Sequence, residues 1–393
     1  MQSKQNKIKA MLRQQGIDGA IVSSPENFHY VAGFAGHQHT VSRQPGFTTA
    51  VLSAREERQT HAITMDFEAP TFVERNSPLI IKPYDTWVGV KEWDELVTGQ
   101  LWEPEPKDFL TPMDVLLQSM EELELTHQTV GLELQYLPVT YYKTLQEKLP
   151  HATFVDISDL FVLARSVKEE EEIQMFRKLC AIADEAFFKV SEMVAVGVSE
   201  TQLRDCFRQH VIGSGFCVPS SWSMFSTGPN GARLTLPGDR KIADGDVVKF
   251  DAGVNAEFDF YTTDTSRGWV VGNGDPLLCK LKDRLYSAQR KMLEAARPGL
   301  PIKELFRIGY SHVQEAFPAY RRGHLGHSIS LGPATAEAPY INATETRVLE
   351  PGMVLAIEVP CYIRGVNGFN IEDMVLITQD GCEVLTPKTP HYL

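Results

Sequence analysis

Two strand-like segments, GDVVKFD at Gly245 to Asp251 and GMVLAIE at Gly352 to Glu358, share their length, their leading glycine and a terminal carboxylate. A second acid follows each at a similar interval, Asp264 after thirteen residues and Glu372 after fourteen. The likeness extends upstream. In VGVSETQLRDCFRQHV and PGLPIKELFRIGYSHV, Gly197, Leu203, His210 and Val211 match Gly299, Leu305, His312 and Val313 at an offset of 102 residues. Each copy follows one helical pattern and begins another. Several matches in order indicate an internal duplication. The expected domain has two similar halves, each a helix pair plus a hairpin, facing each other across a pseudo-two-fold axis.

That symmetry would bring Asp251, Asp264, Glu358 and Glu372 together at the centre. Buried carboxylates are costly without a counter-charge, and four in one place raise each other's pKa and weaken the fold. Two divalent cations would neutralise them. Hard oxygen donors are often joined by a histidine. His327 in GHLGHSISLG is the best imidazole candidate, on a glycine-flanked strand-like segment between the two acid pairs, and His324 is the second.

A chain of 393 residues exceeds what one core usually supports. In the first part, the apolar runs GAIV, TAVL, HAIT, LIIK, TVGLEL and TFVDIS alternate with helical patterns such as MDVLLQSMEEL and VTYYKTLQEKL, the rhythm of an α/β domain. The long helical pattern after ARSVKEEEE begins a second domain, which sets the expected boundary at residues 1–165 and 166–393. The EEEE run reads as a solvated helix start that suits the helix dipole. The overall class is α+β.

Hydrophobic residues make up 43% and charged residues 23%, the balance of a folded soluble chain. A net charge of -13 without a basic block disfavours nucleic acid or an anionic membrane as partner. The polar N-terminus MQSKQNKIKAMLRQQG reads as neither signal peptide nor anchor, so the expected location is cytoplasmic. Six cysteines without a CxxC pair read as free thiols.

The segments FDAG, YTTDTSR, GHSIS, PGMVLAIE and NIED resemble the motifs of the pita-bread metallopeptidases, the family of methionine aminopeptidase, aminopeptidase P, prolidase and creatinase. The family's ligand order of Asp, Asp, His, Glu, Glu is met by Asp251, Asp264, His327, Glu358 and Glu372. STGPNGARLTLPGDRKIADGDVV is similar to the approach to the first Asp in prolidases, and SPENFHYVAGFAG resembles the N-terminal domain of the creatinase and prolidase branch.

The resemblance implies a C-terminal pita-bread fold preceded by an α/β creatinase-type N-terminal domain. It also implies two divalent metal ions (Mn, Co, Fe or Zn). Asp251 would bind one ion, Asp264 and Glu372 would bridge both, and His327 and Glu358 would bind the other. A metal-activated water would attack an amide or imide carbonyl, with Glu358 taking its proton and passing it to the leaving nitrogen. The implied substrate is a small Xaa-Pro peptide and the implied assembly a homodimer.

Three positions depart from the peptidase pattern. Leu234 and Ala336 stand where prolidases and aminopeptidase P carry histidines, and Asn370 stands where they carry arginine. His324 is placed to compensate for one of them. These departures keep open a metal-dependent hydrolase or lyase of a small non-peptide metabolite, and a binding or scaffold protein is a third reading. His37 and His39 read either as an exposed loop or as a contribution to a neighbouring subunit's site. Tyr261, Phe258 and Phe260 read as core or pocket wall, Trp222 as pocket lining, and residues 256–259 as the turn between the two aspartates.

Overall fold

In a computed structural model of the chain, which describes residues 2–75, 78–87, 93–98, 109–257, 259–332 and 335–393, every one of the six apolar runs of the first part is a strand. These are β1 (Gly19–Val22), β2 (Thr49–Ser53), β3 (His61–Met65), β4 (Ile80–Tyr84), β5 (Thr129–Leu132) and β6 (Thr153–Asp156). They form a mixed sheet in the order β4-β3-β2-β1-β5-β6, with β1, β5 and β6 parallel. The chain divides into two compact units, Met1–Ala164 and Arg165–Leu393. Among the described residues no helix is long and apolar enough to cross a membrane.

Within the first unit, buried Glu133 just beyond β5 accepts the backbone N–H groups of Ser23 and Ser24 at 2.5 and 2.9 Å and the Asn27 amide at 2.5 Å. This fixes the start of the helix Pro25–Ala32, whose N-cap is Ser24 and whose C-cap is Gly33 with φ 81°. His39 corrects the two readings offered for it. It is fully buried in the helix His37–Val41, its Nε2 is 2.9 Å from the Thr48 carbonyl oxygen and its ring meets Phe28 edge-on. Burial pulls its pKa down to about 4, as expected for a core histidine. His37 is exposed at the start of the same helix.

The second unit begins with the helix Glu170–Met193. The acidic run at its start is not wholly solvated. Glu169 and Glu172 form a capping box, and Glu172 is 1% exposed and accepts the Tyr261 hydroxyl at 2.9 Å. The unit's strands are β7 (Cys217–Pro219), β8 (Met224–Thr227), β9 (Val247–Ala252), β10 (Val254–Ala256), β11 (Thr265–Val270) and β12 (His324–Ser328). There follow β13 (Glu337–Asn342), β14 (Val354–Glu358), β15 (Cys361–Ile363), β16 (Asn367–Phe369), β17 (Glu372–Ile377) and β18 (Cys382–Val384). The main sheet runs β13-β12-β14-β17-β11-β9-β8, with β18 also paired to β17. Read outward from the β11–β17 seam, β9 and β8 on one side answer β14 and β12 on the other, so the duplication in sequence is a duplication in space.

Helices cover one face of this sheet. Phe187 of the first helix stacks on Phe250 with ring centroids 4.4 Å apart, and Phe250 meets Trp269 at 4.7 Å. In the second half, Leu355, Ile357 and Val375 share an apolar cluster with Leu285 and Met292 of the helix Pro276–Ala295 and Leu305 of the helix Ile302–Ala316. This covered face also carries a buried ion pair. Arg267 donates to Asp373 at 2.7 Å, and also to the carbonyl oxygens of Ser266, Glu372, Thr386 and Thr389. Burial alone would raise Asp373. Arg267, His391 and Gln289 outweigh it and hold the carboxyl well below the usual range.

Replacing Arg267 with Met leaves Asp373 buried without its guanidinium, and the expected cost is about 3–5 kcal/mol. Urea denaturation measures it; a change below about 1 kcal/mol would contradict this account of the pair.

Candidate metal centre

Opposed residues of neighbouring strands share a face of a sheet, as do residues two apart along one strand. Asp251 stands opposite Ser266, Ser266 opposite Glu372, and Glu372 opposite Glu358. These residues form a row across β9, β11, β17 and β14. Asp264 lies two residues before Ser266, and His327 is opposite Ala356, two residues before Glu358. All five candidate ligands therefore project from the face that the helices leave uncovered, and none is more than 8% exposed.

The hairpin between the two aspartates keeps one register, from the Asp251–Ser266 pair to the Asn255–Thr262 bridge and the Ala256 N–H bond to the Tyr261 carbonyl. Its interval therefore needs no bulge. The register puts Gly253 opposite Asp264, where a Cβ would lie 1.8 Å from the Thr263 carbonyl oxygen. Beyond that pair lies Phe260, which adopts φ 60°. Tyr261 is core, against Phe176, and Phe258 lies outside the described residues. Trp222 lies beside Gly253, its Cζ2 3.1 Å from where that Cβ would be.

Among the described residues, ligand atoms of Asp264, His327 and Glu372 lie within 4.8 Å of one another. His327 donates through Nδ1 to the Ser328 carbonyl at 3.1 Å, which leaves the Nε2 lone pair facing Asp264 Oδ2 at 3.7 Å. Burial lowers the pKa of His327 and favours the neutral ring that a metal requires. Asp264 Oδ1 is buried without a hydrogen-bond partner. An orphaned carboxylate oxygen beside a second carboxylate and a neutral imidazole fits a divalent cation.

Asp251 and Glu358 flank this group and have partners of their own. Asp251 Oδ2 lies 3.9 Å from Lys249 Nζ and 3.4 Å from the Asn370 amide nitrogen. Glu358 Oε1 lies 3.1 Å from Arg322 and 3.2 Å from His324 Nδ1. Burial raises Asp264 well above the usual carboxylate range, with Asp251 and Glu358 adding to it. The same holds for Glu372, through burial and then Asp264, Glu358 and Asp251.

The departures in sequence have distinct outcomes. Leu234 is 89% exposed, and Ala336 precedes β13 without a polar side chain. Asn370, in contrast, is part of the site, since its amide also reaches Glu372 at 3.3 Å. Three residues escaped the sequence reading: Lys249, Arg322 and Tyr362. Lys249 sits two residues before Asp251 and thus on its face, a signal obscured by the apolar run around it. Burial pulls its pKa below the ordinary lysine value, while Asp251, Glu358 and Glu372 oppose that shift.

The profile of metallopeptidase family M24 matches residues 174–379, and that of the creatinase/prolidase N-terminal domain matches residues 4–167. The chain belongs to metallopeptidase family M24. It is 30% identical over 293 residues to a Xaa-Pro dipeptidase of Pyrococcus horikoshii, covering 73% of this chain and 80% of that protein. To a Xaa-Pro dipeptidase of Pyrococcus furiosus it is 33% identical over 273 residues, covering 68% and 75%. The fold matches the solved structure of a Xaa-Pro dipeptidase from Bacillus anthracis with a TM-score of 0.82, covering 100% and 99% of the two chains at 23% identity. The M24 pita-bread fold, the creatinase-type N-terminal domain and a metal-dependent peptidase activity follow from this membership.

In the metal-free M24 centre Asp264 is an ionisation burden, because its folded pKa lies above its unfolded one. The sign follows: the folded chain loses stability as pH rises from the unfolded value through the folded value. Stripped of metal by a chelator, Asp264→Asn should therefore melt higher than the parent chain, by a margin that widens as the pH rises above the value for an unfolded aspartate. With saturating Mn²⁺ the order should reverse. Calorimetric melting under both conditions is the check, and a margin indifferent to pH would contradict the assignment.

Proposed function

We propose that this M24 peptidase hydrolyses the imide bond of small Xaa-Pro peptides, with Asp264, His327 and Glu372 as the principal metal ligands and Asp251 and Glu358 at their flanks. One observation carries the reading: five side chains separated by up to 121 residues in sequence converge on one sheet face in the family's order. Relatives named as peptidases do not favour the metabolite reading.

A divalent ion in this centre would supply Lewis acidity toward a water and the scissile carbonyl. The chain's own groups divide the remaining work. Glu358 is the proposed general base: Arg322 donates to its Oε1 at 3.1 Å, which fixes the carboxylate and leaves Oε2 to accept a proton from water. The same carboxyl then delivers that proton to the leaving nitrogen, which in an imide starts without one. His324, whose pKa burial lowers, is a neutral ring with a third of its side chain exposed. Its one ring N–H, placed on Nε2 because Nδ1 is buried without a hydrogen-bond partner, is the proposed donor to the substrate carbonyl oxygen in the absence of histidines at 234 and 336.

The test is hydrolysis of Xaa-Pro dipeptides and of longer peptides with an N-terminal Xaa-Pro, by protein loaded with Mn²⁺. Activity abolished by chelation and restored by Mn²⁺ is expected, with Glu358→Gln lowering kcat by about 10²–10⁴-fold. Metal-loaded protein that leaves every such peptide intact would overturn the substrate assignment.

A further inference from the structure

Lys249 is a buried cation on the metal-facing side of the sheet. Its side chain is 1% exposed and its Nζ lies 3.9 Å from Asp251 and 4.9 Å from the centroid of the Tyr362 ring. Arg322, which pairs with Glu358, lies 5.8 Å from the centroid of the same ring. The pseudo-two-fold explains why the chain has room for a lysine here. In one half His327 stands opposite Ala356, two residues before the strand's terminal acid; in the other, Ser226 stands opposite Lys249, two residues before Asp251. A small residue makes space for a larger nitrogen-bearing one in each half. One half thus offers a neutral imidazole and the other an ammonium.

We propose that the Lys249 ammonium takes the place of a second metal ion, so that this centre holds one divalent cation, bound by Asp264, His327 and Glu372. The proposal rests on the metallopeptidase reading above. Asp251 already has Lys249 as its counter-charge and Glu358 already has Arg322, which leaves Asp264 and Glu372 as the two uncompensated carboxylates. One divalent ion brings this set to neutrality. A second, held by Asp251, would place two unmatched positive charges in a buried site beside the Lys249 ammonium, whose Nζ is 3.9 Å from Asp251 Oδ2. Geometry agrees, since Asp251 and Glu358 fall outside the one compact group of potential ligands among the described residues.

The test is titration of chelator-stripped protein with Mn²⁺, followed by isothermal calorimetry and by electron paramagnetic resonance of the bound ion. The full chain should bind one Mn²⁺ with the spectrum of an isolated ion. Lys249→Met should bind a second, with affinity raised by at least about tenfold, and should show the spectrum of an exchange-coupled pair. Lys249→Arg, which keeps the charge, should still bind one, and it guards against a folding defect in the Met variant. Two tightly bound ions in the parent chain would overturn the inference and leave the metallopeptidase reading standing. A single ion in Lys249→Met would overturn it as well. No bound ion in the parent chain would remove the metallopeptidase reading itself.

Discussion

The second unit is organised around the burial of like charges. Its sheet brings four carboxylates to one face, and at Asp264 and Glu372 burial and the neighbouring acids both oppose ionisation. Glu372 and Asp373, adjacent in sequence, show how far a one-residue step changes the outcome. Glu372 faces three other acids and its pKa rises; Asp373 faces Arg267 across the opposite side of the sheet and its pKa falls. The covered face resolves its charge internally, with a guanidinium that makes hydrogen bonds to four carbonyl oxygens besides its carboxylate. The open face resolves only part of its charge that way. What it leaves over is a carboxylate pair beside a neutral imidazole, which is the chemistry of a metal site.

Duplication provides the frame and asymmetry provides the function. The order of strands on either side of the β11–β17 seam is symmetric, and Asp251 of β9 and Glu358 of β14 are equivalent positions. The groups beside them are not. Arg322 and His324 stand beside Glu358, and Lys249 and Asn370 stand beside Asp251. A symmetric scaffold thereby carries unlike side chains beside its two equivalent acids.

Much of this was legible in the sequence because it follows from fixed periods. The acids recur at matched offsets, and period two decides their common face once one strand pair is in register. The six short strands of the first unit were legible as apolar runs. What escaped depended on partners distant in the chain. Glu172 reads as one more solvated acid until Tyr261 arrives from 89 residues away, and His39 reads as a loop residue until Phe28 and the Thr48 carbonyl enclose it. Arg322 acquires its role only through Glu358, and Lys249 was masked by the hydrophobic residues on both sides of it. The loss of arginine at position 370 looked like a missing contact, but the shorter amide still spans two of the acids.

The most direct measurement of the central claim is anomalous diffraction from crystals loaded with Mn²⁺, collected near the manganese edge. The account predicts a peak enclosed by Asp264, His327 and Glu372, with the Lys249 ammonium beside Asp251. The absence of a peak at that position, or a peak bound by other residues, would contradict it.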